Sequence, residues 1–196
     1  MGFLFTSCAV EDDYVPLSID PIFVDNPQQT IKVDIIYVLP TGSSNQSLYN
    51  LDESDFIKNL NGSFFHRYNI GLVLGEIKTM VNSQLYDLRD NRGSEASTFL
   101  METKESYKKN RLNIYVIKRA HTIAIAGIGK DRRALITDEF LHTTTAPHEI
   151  GHALGLFHSH EEENLMSLIR PHLRRNFTNT QVAKMKEHIT EMNKSQ

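Results

Sequence analysis

The run His148-Glu149-Ile150-Gly151-His152-Ala153-Leu154-Gly155-Leu156-Phe157-His158 sets three imidazoles and a carboxylate within eleven positions. On a helix, residues four apart share a face, separated by about 6 Å of rise and about 40° of rotation. His148 and His152 can therefore aim both rings at one ion. Glu149 projects beside them, able to hydrogen-bond a metal-bound water without becoming a ligand. A straight helix would carry His158 a full turn onward and rotate it off that ion. Gly155 solves this, because glycine takes positive φ at little cost and ends a helix in a sharp turn. The chain then reverses and brings His158 back. Three neutral imidazoles leave one position open for water, the arrangement of a catalytic Zn²⁺ site. Zinc draws the pKa of that water toward neutrality, and Glu149 is the base that takes its proton and passes it to a leaving amine.

The longer pattern His-Glu-x-x-His-x-x-Gly-x-x-His resembles the metzincin signature. Asn164-Leu165-Met166-Ser167 resembles the methionine turn that metzincins place beneath the zinc. Met166 follows His158 by eight residues, a spacing similar to that of matrixins. Phe65-His66-Arg67-Tyr68-Asn69-Ile70, the segment Leu112 to Ile117, and Thr145 before the motif resemble pappalysin-like bacterial enzymes. The close match covers 148–166 and the looser one about 31–190.

The resemblance implies a zincin-like α+β domain that hydrolyses peptide bonds in peptides or proteins with one Zn²⁺. It carries over His148, His152 and His158 as ligands, Glu149 as base and Met166 as a structural support. It further implies that an edge strand near Gly127 to Ile136 binds an extended peptide by strand addition. Ser167 to His172 would line the specificity pocket, shaped by Leu168 and Arg170. The chain departs from several subfamilies. Leu168 stands where astacin-like and serralysin-like members carry a metal-reaching tyrosine. The matrixin cysteine switch, the cysteine-containing insert of pappalysin-like enzymes and the cysteine cluster of archaeal-type members are all absent from the sequence.

Blander readings compete at each position. His-Glu-x-x-His alone recurs by chance, but five fixed positions and a correctly spaced methionine are far more specific. A non-catalytic, zinc-containing domain that binds proteins is the alternative function. Inactive relatives commonly lose the glutamate, which this chain keeps. Met166 also reads as ordinary core filler. His66, His121, His142, His160, His172 and His188 read as solvated or core residues. Glu161-Glu162-Glu163 offers oxygen ligands for Ca²⁺, although a solvated charge run is the simpler expectation.

The elements that must position this constellation are a mixture of strands and helices. Residues 31–39 are dense in β-branched residues and stop at Pro40, predicting a strand. Ser54 is the expected cap of a helix to about Arg67, with Phe56, Ile57, Leu60, Phe64 and Phe65 as its stripe. A second strand is expected over 70–81, a turn at 90–93, a helix over 94–109 and a third strand over 112–117. Residues 124–130 and 134–136 predict one further strand or a pair, with a glycine-loosened link. A helix over about 144–154 carries the motif. Thr178 or Asn179 caps a last helix facing inward through Val182, Met185 and Ile189. The expected layout is a twisted mixed sheet with the active-site helix and a small C-terminal helical lobe. The domain boundaries are an arm over 1–29 and one catalytic domain over 30–196, with lobes 30–158 and 159–196.

A chain of 196 residues suffices for one domain with a real core, and 40% hydrophobic and 23% charged residues fit a globular protein. A net charge of −3 predicts neither a nucleic-acid groove nor a polybasic membrane patch. The single cysteine, Cys8, excludes an intrachain disulfide and a cysteine-based zinc cluster. Gly2-Phe3-Leu4-Phe5-Thr6-Ser7-Cys8 resembles the tail of a bacterial lipoprotein signal, without a basic start and with too short an apolar run. It reads equally as a remnant carrying a lipid anchor at Cys8 or as an arm with an incidental cysteine. The first reading predicts a secreted or cell-surface protein; a monomer is the default.

Overall fold

The computed structural model describes residues 19–43, 49–88, 94–118 and 127–195. Cys8, His121, the turn at 90–93 and the start of the segment at 124 lie outside the described residues. Five strands form one sheet: β1 (Gln29–Leu39), β2 (Ile70–Val81), β3 (Leu112–Ile117), β4 (Gly127–Lys130) and β5 (Arg133–Thr137), in the order β2-β1-β3-β5-β4. β1 runs parallel to β2 and β3, and β3 parallel to β5. β4 pairs antiparallel with β5 and makes the sheet mixed. The fold is α+β, as expected.

β1, β3 and β5 are buried along almost their whole length, which explains their continuous apolar runs. Alternate side chains divide between two cores. Ile31, Val33, Ile35, Tyr37 and Leu39 enter the larger one, while Ile36 and Val38 enter the smaller one with Tyr115, Ile117 and Leu135. The larger core is closed by α1 (Glu53–Leu60), α4 (Thr145–Ala153) and α5 (Asn179–Lys194). The smaller is closed by α2 (Ser83–Tyr86) and α3 (Glu95–Glu102), through Leu85 and Phe99.

Several local expectations are corrected. Asp52, not Ser54, caps α1, its side chain accepting from Asp55 N. The helix does not run on regularly to Arg67. It becomes a π-turn at Asn61–Phe65 and a 3₁₀ turn at His66–Tyr68. The Asn61 amide there bonds both Leu72 N and Leu72 O at 2.8 Å, docking α1 onto β2 as a substitute strand partner. α3 is also shorter than expected. Near its end Thr103 Oγ1 donates back to Phe99 O at 2.6 Å and accepts from Arg133 Nη1 at 3.1 Å. β4 and β5 form a hairpin whose two turn residues, Asp131 and Arg132, have φ of 48° and 64°. Positive φ at both central positions matches the right-handed twist of the flanking strands. α5 begins with a capping box between Thr178 and Gln181 and buries Met185, Ile189 and Met192.

Candidate active site

α4 ends as its sequence demands. Leu156 N donates to Gly151 O and Gly155 N to His152 O, both at 2.9 Å, with Gly155 at φ +85°. This is a Schellman turn with glycine at its left-handed position. The His188 ring lies over that glycine, 2.7 Å from where a Cβ would stand. The reversal delivers His158 to the face of α4 that carries His148 and His152.

One nitrogen from each of the three rings lies within 4.8 Å of the other two. Nδ1 of His148 donates to Leu165 O at 2.7 Å, and Nδ1 of His152 donates to Leu156 O at 2.9 Å. Those bonds select the tautomers that leave both Nε2 lone pairs facing the centre. Nε2 of His152 and Nε2 of His158 stand 2.9 Å apart. At that distance a proton on one of the two rings, or a cation in its place, must bridge them. Burial lowers the pKa of all three rings, assisted by the positive charge of Arg174, and takes His148 down to about 3. The rings are therefore held neutral, the form in which imidazole ligates. The donor set fits Zn²⁺.

Glu149 is 7% exposed, and burial raises its carboxyl to about 7, against the opposing influences of Arg174 and the Gly129 backbone N–H. β4 lies directly on this part of α4. A Cβ at Gly127 would come 2.5 Å from Glu149 Cγ, and one at Gly129 2.7 Å from His152 Cβ. The glycines of Gly127-Ile128-Gly129 thus permit close backbone approach and do not loosen a link.

Met166 is fully buried, its Sδ packed so closely on Gly151 that a Cβ there would clash with it. Its carbonyl accepts from Ser159 N at 2.9 Å, so the turn is tied to the segment bearing His158. Asn164 organises it. Asn164 Oδ1 accepts from Met166 N at 2.8 Å and from Gln181 Nε2 at 3.1 Å, while Asn164 Nδ2 donates to Gln181 Oε1 at 2.9 Å. Gln181 is the same residue that closes the capping box of α5. Beyond Met166, Leu168 is 62% exposed, and Arg170, at φ 45°, pairs with Glu162 at 2.8 Å. Phe157, beside His158, is exposed and lies under Lys184 Nζ.

The family model for matrixin, the M10 peptidases, matches residues 46–186. The chain belongs to the matrixin family. It is thereby a metzincin-type protein, and family and fold together mark a zinc metallopeptidase in the general sense. This matrixin superposes on archaemetzincin from Methanopyrus kandleri with a TM-score of 0.55 at 13% identity, covering 85% of this chain and 99% of that one. It superposes on metalloproteinase-II from Bacteroides fragilis with a TM-score of 0.55 at 17% identity, covering 91% of this chain and 59% of that one. Both likenesses are of fold. No curated protein matches the sequence.

The histidines and Glu149 singled out in the sequence are brought together, with Met166 packed under them. What the residue pattern did not reveal in this matrixin is Arg174, buried at 6% exposure, whose charge acts on Glu149 and all three imidazoles. Its only sequence signal is a basic cluster, Arg170 to Arg175, that reads as solvated surface.

Proposed function

We propose that this matrixin is an endopeptidase in which His148, His152 and His158 hold one zinc ion and Glu149 handles the protons. The observation that carries the reading is the convergence of three neutral imidazole nitrogens, within 4.8 Å of one another, beside a buried carboxylate. Zinc, when bound, supplies Lewis-acid polarisation of a peptide carbonyl and acidifies water. The carbonyls of Leu165 and Leu156 keep two of the rings oriented. Glu149, buried beside the three rings, accepts a proton from the attacking water and returns it to the amine nitrogen as the peptide bond breaks. β4, an edge strand packed on the active-site helix, offers backbone groups along which an extended peptide can lie. Exposed Leu168 and Ile169, on the loop that follows Met166, supply apolar contact for its side chains.

The test is cleavage of a mixed peptide library by zinc-loaded protein, with and without a chelator. Cleavage should stop on chelation and return with zinc. Glu149→Ala should retain zinc and lose turnover by about a hundredfold or more. Stoichiometric zinc with no cleaved peptide would instead favour a non-catalytic protein-binding domain.

A further inference from the structure

We propose that a cationic pocket at the N-terminal ends of β1 and β3 binds the phosphate group of a phosphate monoester. The pocket is a cavity of about 380 Å³ lined by Thr30, Lys32, Val73, Asn110, Arg111 and Asn193. β1 explains how it arises. Its even-numbered side chains share one face. Val38 and Ile36 enter the smaller core, and no residue of β1 before Ile36 belongs to it. Asp34 comes next, fully buried and ion-paired, and beyond it Lys32 and Thr30 are exposed. Lys32 is level with Val73 on one side, and Arg111 precedes Leu112, the partner of Val33, on the other. This end of the face is therefore open and polar. β1 lies three strand spacings, about 14 Å, from β4, the strand packed on the histidine-bearing helix.

Arg111, its side chain 14% exposed, is held in the wall by Asp34. Its Nη1 donates to Asp34 Oδ1 at 2.9 Å and to Glu76 Oε1 at 3.3 Å. Lys78 Nζ pairs with Asp34 Oδ2 at 3.2 Å and with Glu76 Oε2 at 2.9 Å, and Lys108 also pairs with Glu76. Two carboxylates thus face three cations, and Lys32 adds a fourth. The excess is two positive charges, in a chain whose net charge is −3. Among the described residues no acceptor is bonded to Lys32 Nζ or to Arg111 Nη2. The donors that remain choose among anions. A carboxylate is gripped best by two parallel N–H bonds from one guanidinium. Here Nη1 is committed to Asp34, and Nε lies 3.4 Å from Asn110 Oδ1, so no such fork is free. What is left is a set of single donors on separate side chains: Arg111 Nη2, Lys32 Nζ and Asn110 Nδ2. A phosphate monoester carries about −1.5 to −2 charge at pH 7 and three terminal oxygens, which match that excess and those donors. The volume also leaves room for the group that bears the phosphate, either a soluble small molecule or a lipid.

Zinc-loaded protein titrated with glycerol 3-phosphate, followed by amide chemical shifts, tests this without reading peptide cleavage. Saturable shifts should centre on residues 30–32, 73 and 110–111 at about millimolar ligand, and weaken as sodium chloride is added. Lys32→Gln should weaken binding about fivefold. Val73→Glu, which puts a carboxylate of the protein's own into the pocket, should abolish it. Both positions are exposed, so thermal melts of the variants should match the wild type. Shifts confined to residues 148–158, no saturable shift at all, or variants that bind like the wild type overturn the proposal. Glutarate bound as tightly as the phosphate overturns the choice of ligand. Sedimentation with phosphatidylcholine vesicles, with and without phosphatidic acid, separates the two sources. Binding to the acidic vesicles that Lys32→Gln removes identifies a lipid headgroup. No vesicle binding, beside saturable binding of glycerol 3-phosphate, identifies a soluble ligand.

Discussion

Gly127 and Glu149 are so close that a Cβ on the first would stand 2.5 Å from Cγ and 3.1 Å from Cδ of the second. The edge strand and the active-site helix therefore meet at the proposed base. Gly127→Ala must push the carboxylate aside, and a displacement of this kind costs about tenfold or more in kcat/KM. Zinc content should not change. At Gly129 the obstacle is the Glu149 backbone carbonyl, which cannot swing away. Gly129→Ala should therefore lower the melting temperature more than Gly127→Ala does. Kinetics and thermal melts on the two variants check this; wild-type rates and melts in both would refute it.

Gly155→Ala should be destabilising for two separable reasons. A left-handed φ costs an L-residue about 1–2 kcal/mol, and the new methyl meets the His188 ring at 2.7 Å. His188→Ala removes the second cost alone. Chemical denaturation of both single variants and the double variant should show coupling between them. Strict additivity would mean the ring does not constrain the turn.

The metal-free protein should show two opposed pH trends. His148 titrates at about 3 when folded and 6.5 in the reference state, so its contribution is complete above 6.5 and is lost as pH falls toward 3. Glu149 runs the other way, from 4.5 to about 7, so its contribution is complete below 4.5 and is lost as pH rises through 7. Glu149→Gln removes the second trend. The metal-free variant should be more stable than its parent at pH 8 and match it at pH 4, as urea melts at both values will show.

His158→Ala should weaken zinc binding, since His158 is the exposed member of the triad and reaches the centre through the Gly155 reversal. Equilibrium dialysis against a competing chelator measures the loss. Undiminished zinc content would remove His158 from the ligand set.

Much of the site was legible because it is local. His148 and His152 share a helix face by periodicity, and Gly155 announces its own turn. The strands at 70–81, with its alternation, and 112–117 were likewise readable. What escaped depends on contacts distant in sequence. Gly127 and Gly129 are glycines because of Glu149 and His152, some twenty residues away. Arg174 lies in a basic cluster where only tertiary packing separates the buried member from its exposed neighbours. Asn61 interrupts α1 because Leu72 needs a partner. Asp131-Arg132 makes a hairpin turn without the glycine that would have signalled it.

The clasp between Asn164 and Gln181 makes the order of synthesis matter. A growing polypeptide acquires its histidines well before residue 181 leaves the ribosome. Until then one tie is missing from the loop that carries Leu165, whose carbonyl steers one imidazole, and Met166, which supports the helix from below. A chain cut short of residue 181 would thus have to hold its histidine cluster without the tie to the last helix.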